Sequence, residues 1–167
     1  MLSLPLVLAA SISQQMAPAS QGKLQCLSPI ESMKTCDSLS KITQVAPGQY
    51  RYEAQILLDA DGPVIATERG TLSVQGAKVC EKVRLSNLDT MTFRVAGAPA
   101  SAAETSRYRT EFKRKFAIIA GQMICNTIAP EDDGVHEVET FIAGRRVHGL
   151  DYSMKWVGPG DGWKVAP

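Results

Sequence analysis

From Gly48 onward the chain alternates. Tyr50, Tyr52, Ala54, Ile56 and Leu58 share one phase, and Arg51, Glu53, Gln55 and Asp59 share the other, the period-two signature of a half-buried strand. Asp59-Ala60-Asp61-Gly62-Pro63 supplies turn residues, and Val64, Ala66, Leu72 and Val74 resume the alternation, so the pair reads as a hairpin. Glu68 and Gly70 interrupt the inward phase of the second strand, which predicts a bulge or twist there. Gln75-Gly76-Ala77-Lys78 turns into Val79-Cys80-Glu81-Lys82-Val83. Met91, Phe93 and Val95 mark a further short strand, completing an antiparallel meander in outline.

The period then changes. Ser101-Ala102-Ala103-Glu104 is a capping box, and Tyr108, Phe112, Phe116, Ile119 and Met123 follow at helical spacing, a stripe that should lie on the sheet. Gly121 would end the helix before Cys125. After Pro130-Glu131-Asp132-Asp133-Gly134, His136, Val138, Thr140 and Ile142 alternate with Val135, Glu137, Glu139 and Phe141, and Leu150, Tyr152, Met154 and Trp156 follow in a further strand. Gly158-Pro159-Gly160-Asp161-Gly162 would turn that strand into Trp163-Lys164-Val165, bringing Trp156 and Trp163 together across a terminal hairpin. The simplest closure of this order is an α+β fold: a single antiparallel meander-like sheet with one long amphipathic helix packed on one face.

The first residues differ from the rest. Leu4 to Ala10 is a short apolar run and Ala17-Pro18-Ala19 has the small-x-small form of a leader peptidase site, so residues 1–19 read as a signal peptide, although Met1-Leu2-Ser3 lacks Lys and Arg. The competing reading is a buried N-terminal segment. A lipoprotein acceptor is disfavoured because Cys26 is preceded by Lys23 and Gln25 where an apolar and a small residue are needed. Cys26, Cys36, Cys80 and Cys125 all follow that site, and an even number in an exported chain reads as two disulfides. Pairing Cys26 with Cys36 closes a short loop containing Pro29; pairing Cys80 with Cys125 would tie a strand end to a helix end. The domain reading is therefore a 20–47 disulfide-closed segment belonging to one domain with 48–167.

Composition narrows the class without naming a partner. A chain of 167 residues with 44% hydrophobic and 21% charged residues suits one globular domain. A net charge of +1 gives no global footprint for nucleic acid. No apolar run reaches the roughly 20 residues that a spanning helix needs. The one directional charge feature is the helix, where Arg107, Arg109, Lys113, Arg114 and Lys115 outnumber Glu104 and Glu111.

Candidate chemistry is sparse. Asp132, Asp133, Glu137, Glu139 and Asp151 lie near His136 and His148, but alternation turns His136 away from Glu137 and Glu139. Asp59, Asp61 and Glu68 fall at offsets of a calcium loop whose first ligand position would be Leu57 and whose glycine is followed by Pro63, so a hairpin turn is preferred. The glycines at 158, 160 and 162 lack phosphate-cradle spacing, and no serine sits in a hydrolase motif. No cofactor or metal is implied.

The organisation is similar to that of small exported bacterial proteins, a resemblance that transfers no catalytic residue or ligand. The sequence thus points to a periplasmic or secreted, non-enzymatic binding or interaction module. Its candidate surfaces are the Trp156 and Trp163 hairpin and the basic face of Arg107, Arg109, Lys113 and Arg114. Candidate partners are an envelope protein, a polysaccharide or an anionic surface. Two alternatives remain: a small exported hydrolase using a His/carboxylate pair, and an envelope-surface protein held by the basic helix face.

Overall fold

The structure is a computed structural model, and it describes residues 12–59, 62–129 and 133–167. The apolar run of the leader, Ala60 and Asp61 of the first turn, and Pro130 to Asp132 lie outside the described residues. Half of the chain is strand, and the strands close on themselves.

Eight antiparallel strands form the closed barrel: β1 (Leu24–Leu27), β3 (Ser38–Ala46), β4 (Gln49–Asp59), β5 (Val64–Gln75), β6 (Lys78–Lys82), β9 (Met123–Ala129), β10 (Val135–Ile142) and β12 (Tyr152–Val157). Each pairs with the next in this order. The last returns to the first, with Leu24 opposite Val157 and Leu27 opposite Met154. The expected open sheet is therefore corrected to an up-and-down barrel. The 20–47 segment supplies two of its staves, β1 and β3. Local alternation cannot show closure, because the seam joins strands from opposite ends of the chain.

The expected inward phase of β4 holds, and Ile56, Ala54 and Tyr52 face the interior. The opposite phase, Arg51, Glu53 and Gln55 with Arg69 on β5, is exposed. A lipid-facing barrel needs an apolar outer band, so this outer face is one that meets water.

No bulge forms at Glu68 and Gly70. The β4–β5 register runs unbroken from Gln49 opposite Ser73 to Leu57 opposite Ile65, and shifts only between Leu57 and Asp59. Gly70 instead sits opposite Tyr52, and a Cβ built on it would lie 2.5 Å from the Tyr52 ring. The glycine is the space into which that ring folds.

Helix α3 (Ala102–Phe116) opens at the capping box foreseen, Ser101 Oγ accepting from Glu104 N while Ser101 N donates to Glu104 Oε2 at 2.8 Å. A 3-10 turn, η2 (Ala117–Ile119), ends it, and Gly121 at φ +79° leads into β9, so Met123 starts a strand and is not part of the helical stripe. The helix does not lie on the face of a sheet. Tyr108, Phe112 and Phe116 pack with Phe93, Met91 and Leu88 over one end of the barrel, with Phe93 and Tyr108 ring centroids 5.1 Å apart.

Leu88 belongs to a second 3-10 turn, η1 (Leu85–Thr90). Phe93 lies on β7 (Thr92–Val95), which leaves the meander to pair with the first half of β5 and with β8 (Ala98–Pro99).

Two short N-terminal helices, α1 (Ile12–Gln15) and α2 (Ala17–Ser20), pack at the barrel as well. Met16 and Ala19, which the sequence reading assigns to the leader, are buried with Ile42, Tyr50, Val79, Ile128, Val138 and Met154. Gln15 Nε2 donates to the Ile128 carbonyl at 2.5 Å.

The disulfides are Cys26–Cys36 and Cys80–Cys125, the connectivity expected. Cys125, however, lies inside β9 opposite Cys80, so the second bond links neighbouring staves and involves no helix end. The terminal Trp hairpin is also corrected. The last strand, β13 (Lys164–Val165), pairs in parallel with β2 (Thr35–Cys36) in a separate two-stranded sheet. Trp163 accordingly packs on Cys26, Cys36 and Val157, while Trp156 joins the barrel cluster with Met154 and Tyr52. The remaining short elements, β11 (Arg145–Arg146) and η3 (His148–Leu150), form the connection from β10 to β12.

Candidate functional site

An eight-stranded barrel has an interior just wide enough to be filled by side chains or to hold one small ligand. Here it is incompletely filled. Below α3 lies a cavity of about 190 Å³ walled by Ile56, Leu58, Val83, Leu88, Met91, Phe112, Phe116 and Ile124, with Glu68, Glu81, Arg84 and Asn87. A second space of about 190 Å³ shares Ile56, Glu68 and Glu81 as wall residues and is otherwise lined by Gln25, Leu27, Ser38, Ser40, Ile42, Tyr52, Ala54 and Leu72. The two acids mark the junction.

That junction is built by strand phase. Glu68 follows Ala66 and precedes Leu72 on the inward face of β5, and Glu81 follows Val79 on that of β6, so alternation sends both carboxyls into the barrel. Tyr52 reaches across from β4 over Gly70, and its hydroxyl donates to Glu81 Oε1 at 2.8 Å. The same hydroxyl is within hydrogen-bonding reach of Glu68.

Burial pushes the Glu81 carboxyl up to about 7. The neighbouring Glu68 charge adds to the shift, and the Tyr52 hydrogen bond and Arg84 oppose it. Burial likewise raises Glu68 against the pull of the Tyr52 hydrogen bond. Burial and both carboxylates drive the Tyr52 phenol far above its ordinary range, so it remains a hydrogen-bond donor. Two further polar atoms in the barrel wall, Asn126 Oδ1 on β9 and Trp156 Nε1 on β12, are buried without a hydrogen-bond partner among the described residues. Perturbed acids converging on an apolar cavity are the usual mark of a binding site in a fold of unknown role.

Of the residues singled out from sequence, Glu68 and Trp156 belong to the barrel interior and the others fall elsewhere. Arg109 donates to the Met91 carbonyl at 2.7 and 3.2 Å, Lys113 pairs with Asp89 at 2.5 Å, and Lys115 pairs with Glu111 at 2.8 Å. Arg107 lies over the Tyr108 ring, 4.9 Å from its centroid. Those contacts fasten α3 and η1; Arg114 is exposed on the helix's last turn.

His136 Nδ1 meets the Ala129 carbonyl at 3.1 Å and His148 is exposed on η3. Neither lines the interior cavities. Asp151 is engaged by Arg146 at 2.9 Å and by Thr140 N at 3.1 Å, and the Arg146 hydrogen bond holds its carboxyl below the usual range. Asp133 Oδ1 accepts from Val135 N at 3.0 Å. No cluster of metal-ligating residues occurs among the described residues. Asp59 is exposed at the last position of β4, while Glu68 faces the barrel interior; Asp61 lies outside the described residues.

Sequence reasoning missed Glu81 and treated Glu68 only as an interruption or a loop ligand. The signal was present: a charged residue in the inward phase of each of two strands, with a glycine two residues beyond Glu68 for an aromatic ring to fold over.

No family model matches this chain, and no curated protein matches it.

Proposed function

We propose that this chain is an exported, non-enzymatic binding protein whose barrel interior takes up a small, largely apolar molecule through the end covered by α3. The observation that carries the reading is the pair of adjoining cavities, apolar for most of their walls and polar where Tyr52, Glu68 and Glu81 converge. The two disulfides and the lack of any described helix long enough to cross a membrane are compatible with a periplasmic or extracellular address. The charged outer face argues for water around the barrel. The interior is preferred over the basic helix face because Arg109 and Lys113 are occupied in holding α3 to η1.

The test uses Trp156 as a reporter. In a Trp163→Phe variant it is the only indole left of the chain's two. Titration with n-hexanol should give a saturable change in its emission and a rise in Tm. A linear, unsaturated response with no stabilisation would remove the reading.

A further inference from the structure

We infer that the molecule held in the barrel is a small apolar amine, bound as its ammonium with the charged end at Glu68 and Glu81 and the hydrocarbon part in the space below α3. This deepens the binding reading and rests on it.

Two carboxyls meet at the junction of the cavities, and among the described residues that line either cavity the one cation is Arg84, which is exposed at the rim. A buried carboxylate without a paired cation is unfavourable, and an ammonium brings both the charge and up to three donors. The Tyr52 hydroxyl has one proton for two carboxyls, and Asn126 Oδ1 is a further acceptor on the neighbouring strand, two positions along β9 from Ile124, the residue opposite Glu81. Where Tyr52, Glu68 and Glu81 converge, the carboxyl oxygens therefore outnumber the hydroxyl proton they share. The orphaned Trp156 N–H is a single neutral donor, and charge-assisted hydrogen bonds are roughly twice as strong as neutral ones, so the carboxyls decide the polarity of the ligand. A carboxylate ligand would place a third negative group against the same pair.

Volume bounds the hydrocarbon. Each space measures about 190 Å³. An apolar cavity of about 150 Å³ accommodates benzene, so roughly six to ten heavy atoms fit here. Met91, Phe112 and Phe116 supply the adaptable and aromatic wall that such a group would touch.

A proton linkage follows. The groups facing Glu81 are Tyr52 from β4, Glu68 from β5 and Arg84 just beyond β6. Burial keeps the Tyr52 phenol protonated across the working range, so the carboxyls carry the pH response. An ammonium favours the ionised pair; its binding displaces protons and tightens as pH rises through about 7.

The experiment compares three six-carbon probes, n-hexylammonium, n-hexanol and n-hexanoate, by calorimetry on the oxidised full chain at pH 5.5 and pH 8. Hexylammonium should bind at least about tenfold more tightly than hexanol at pH 8, with hexanoate weakest. The amine preference should shrink at pH 5.5 and collapse in Glu81→Gln, while Glu137→Gln on the exposed face of β10 should leave the ranking as in the native chain. Equal binding of amine and alcohol, or a preference for hexanoate, would overturn the ammonium assignment and leave the barrel reading standing. Failure of all three to bind saturably would overturn both. The pH comparison on the native chain decides the matter even if a variant does not fold.

Discussion

Replacing Glu81 by Gln should stabilise this protein, and by an amount that depends on pH. In the folded chain burial holds the Glu81 carboxyl near 7, against an ordinary value of 4.5. A group whose folded-state pKa is raised stabilises the fold below the unfolded value and loses that contribution as pH rises through the folded one. At about 1.36 kcal/mol per unit, the loss between pH 4.5 and pH 7 is at most about 3 kcal/mol, reduced by solvent reaching the partly exposed group and by its coupling to Glu68. Gln keeps an acceptor for the Tyr52 hydroxyl, which now bonds Glu81 at 2.8 Å, and carries no charge to bury. At pH 8 the variant should therefore exceed the native chain by up to about 3 kcal/mol, or roughly 6–12 °C in Tm for a chain of this size. At pH 5 the two should nearly coincide. Thermal and urea unfolding under oxidising conditions from pH 5 to pH 8 reads this directly. A variant less stable than the native chain at pH 8, or a native pH slope that survives the substitution, would refute the claim that Glu81 is a buried, uncompensated acid.

Other expectations follow from the same geometry. Gly70→Ala places a methyl 2.5 Å from the Tyr52 ring, so the ring must leave the Glu81 contact, at a cost of about 1–3 kcal/mol seen in urea unfolding. Tyr52→Phe in the Gly70→Ala background should add less than it does alone, because the hydroxyl contact is already lost. Cys26→Ser with Cys36→Ser, and Cys80→Ser with Cys125→Ser, each remove a closed loop, of sequence separation 10 and 45 respectively. The second pair should be the more destabilising in reversible unfolding, with losses of roughly 3 and 4 kcal/mol on the chain-entropy account. Intact mass of the protein from its native host locates the N-terminus. A chain starting at Ser20 lacks Met16 and Ala19 from the barrel cluster and should admit hexanol faster than a chain that retains them.

What the sequence made legible was local. The inward phase of Tyr50 to Leu58, the capping box at Ser101 and Glu104, and the cysteine pairing all rest on near neighbours or simple arithmetic, and the structure has them. The barrel seam was not legible, because nothing near Leu24 indicates that Val157 will pair with it. Nor was β3, whose inward positions Ser38 and Ser40 are polar and so hide the alternation that Ile42 continues. The helix stripe was read one turn too far because Met123 keeps the spacing although Gly121, in the left-handed region, has already turned the chain. The acids were masked by the same habit: a charge in an apolar phase looks like a break in a strand when it is the polar end of a cavity.

The central claim is that the barrel interior is a binding site, and methionine methyl resonances test it most directly. Met91 lines the cavity below α3, while Met33 is 52% exposed on the loop closed by Cys26 and Cys36. With methyl-labelled methionine, saturating n-hexylammonium at pH 8 should shift the Met91 signal along a saturable curve and leave Met33 unmoved. A response confined to Met33, or none at Met91 at saturating ligand, would contradict the account.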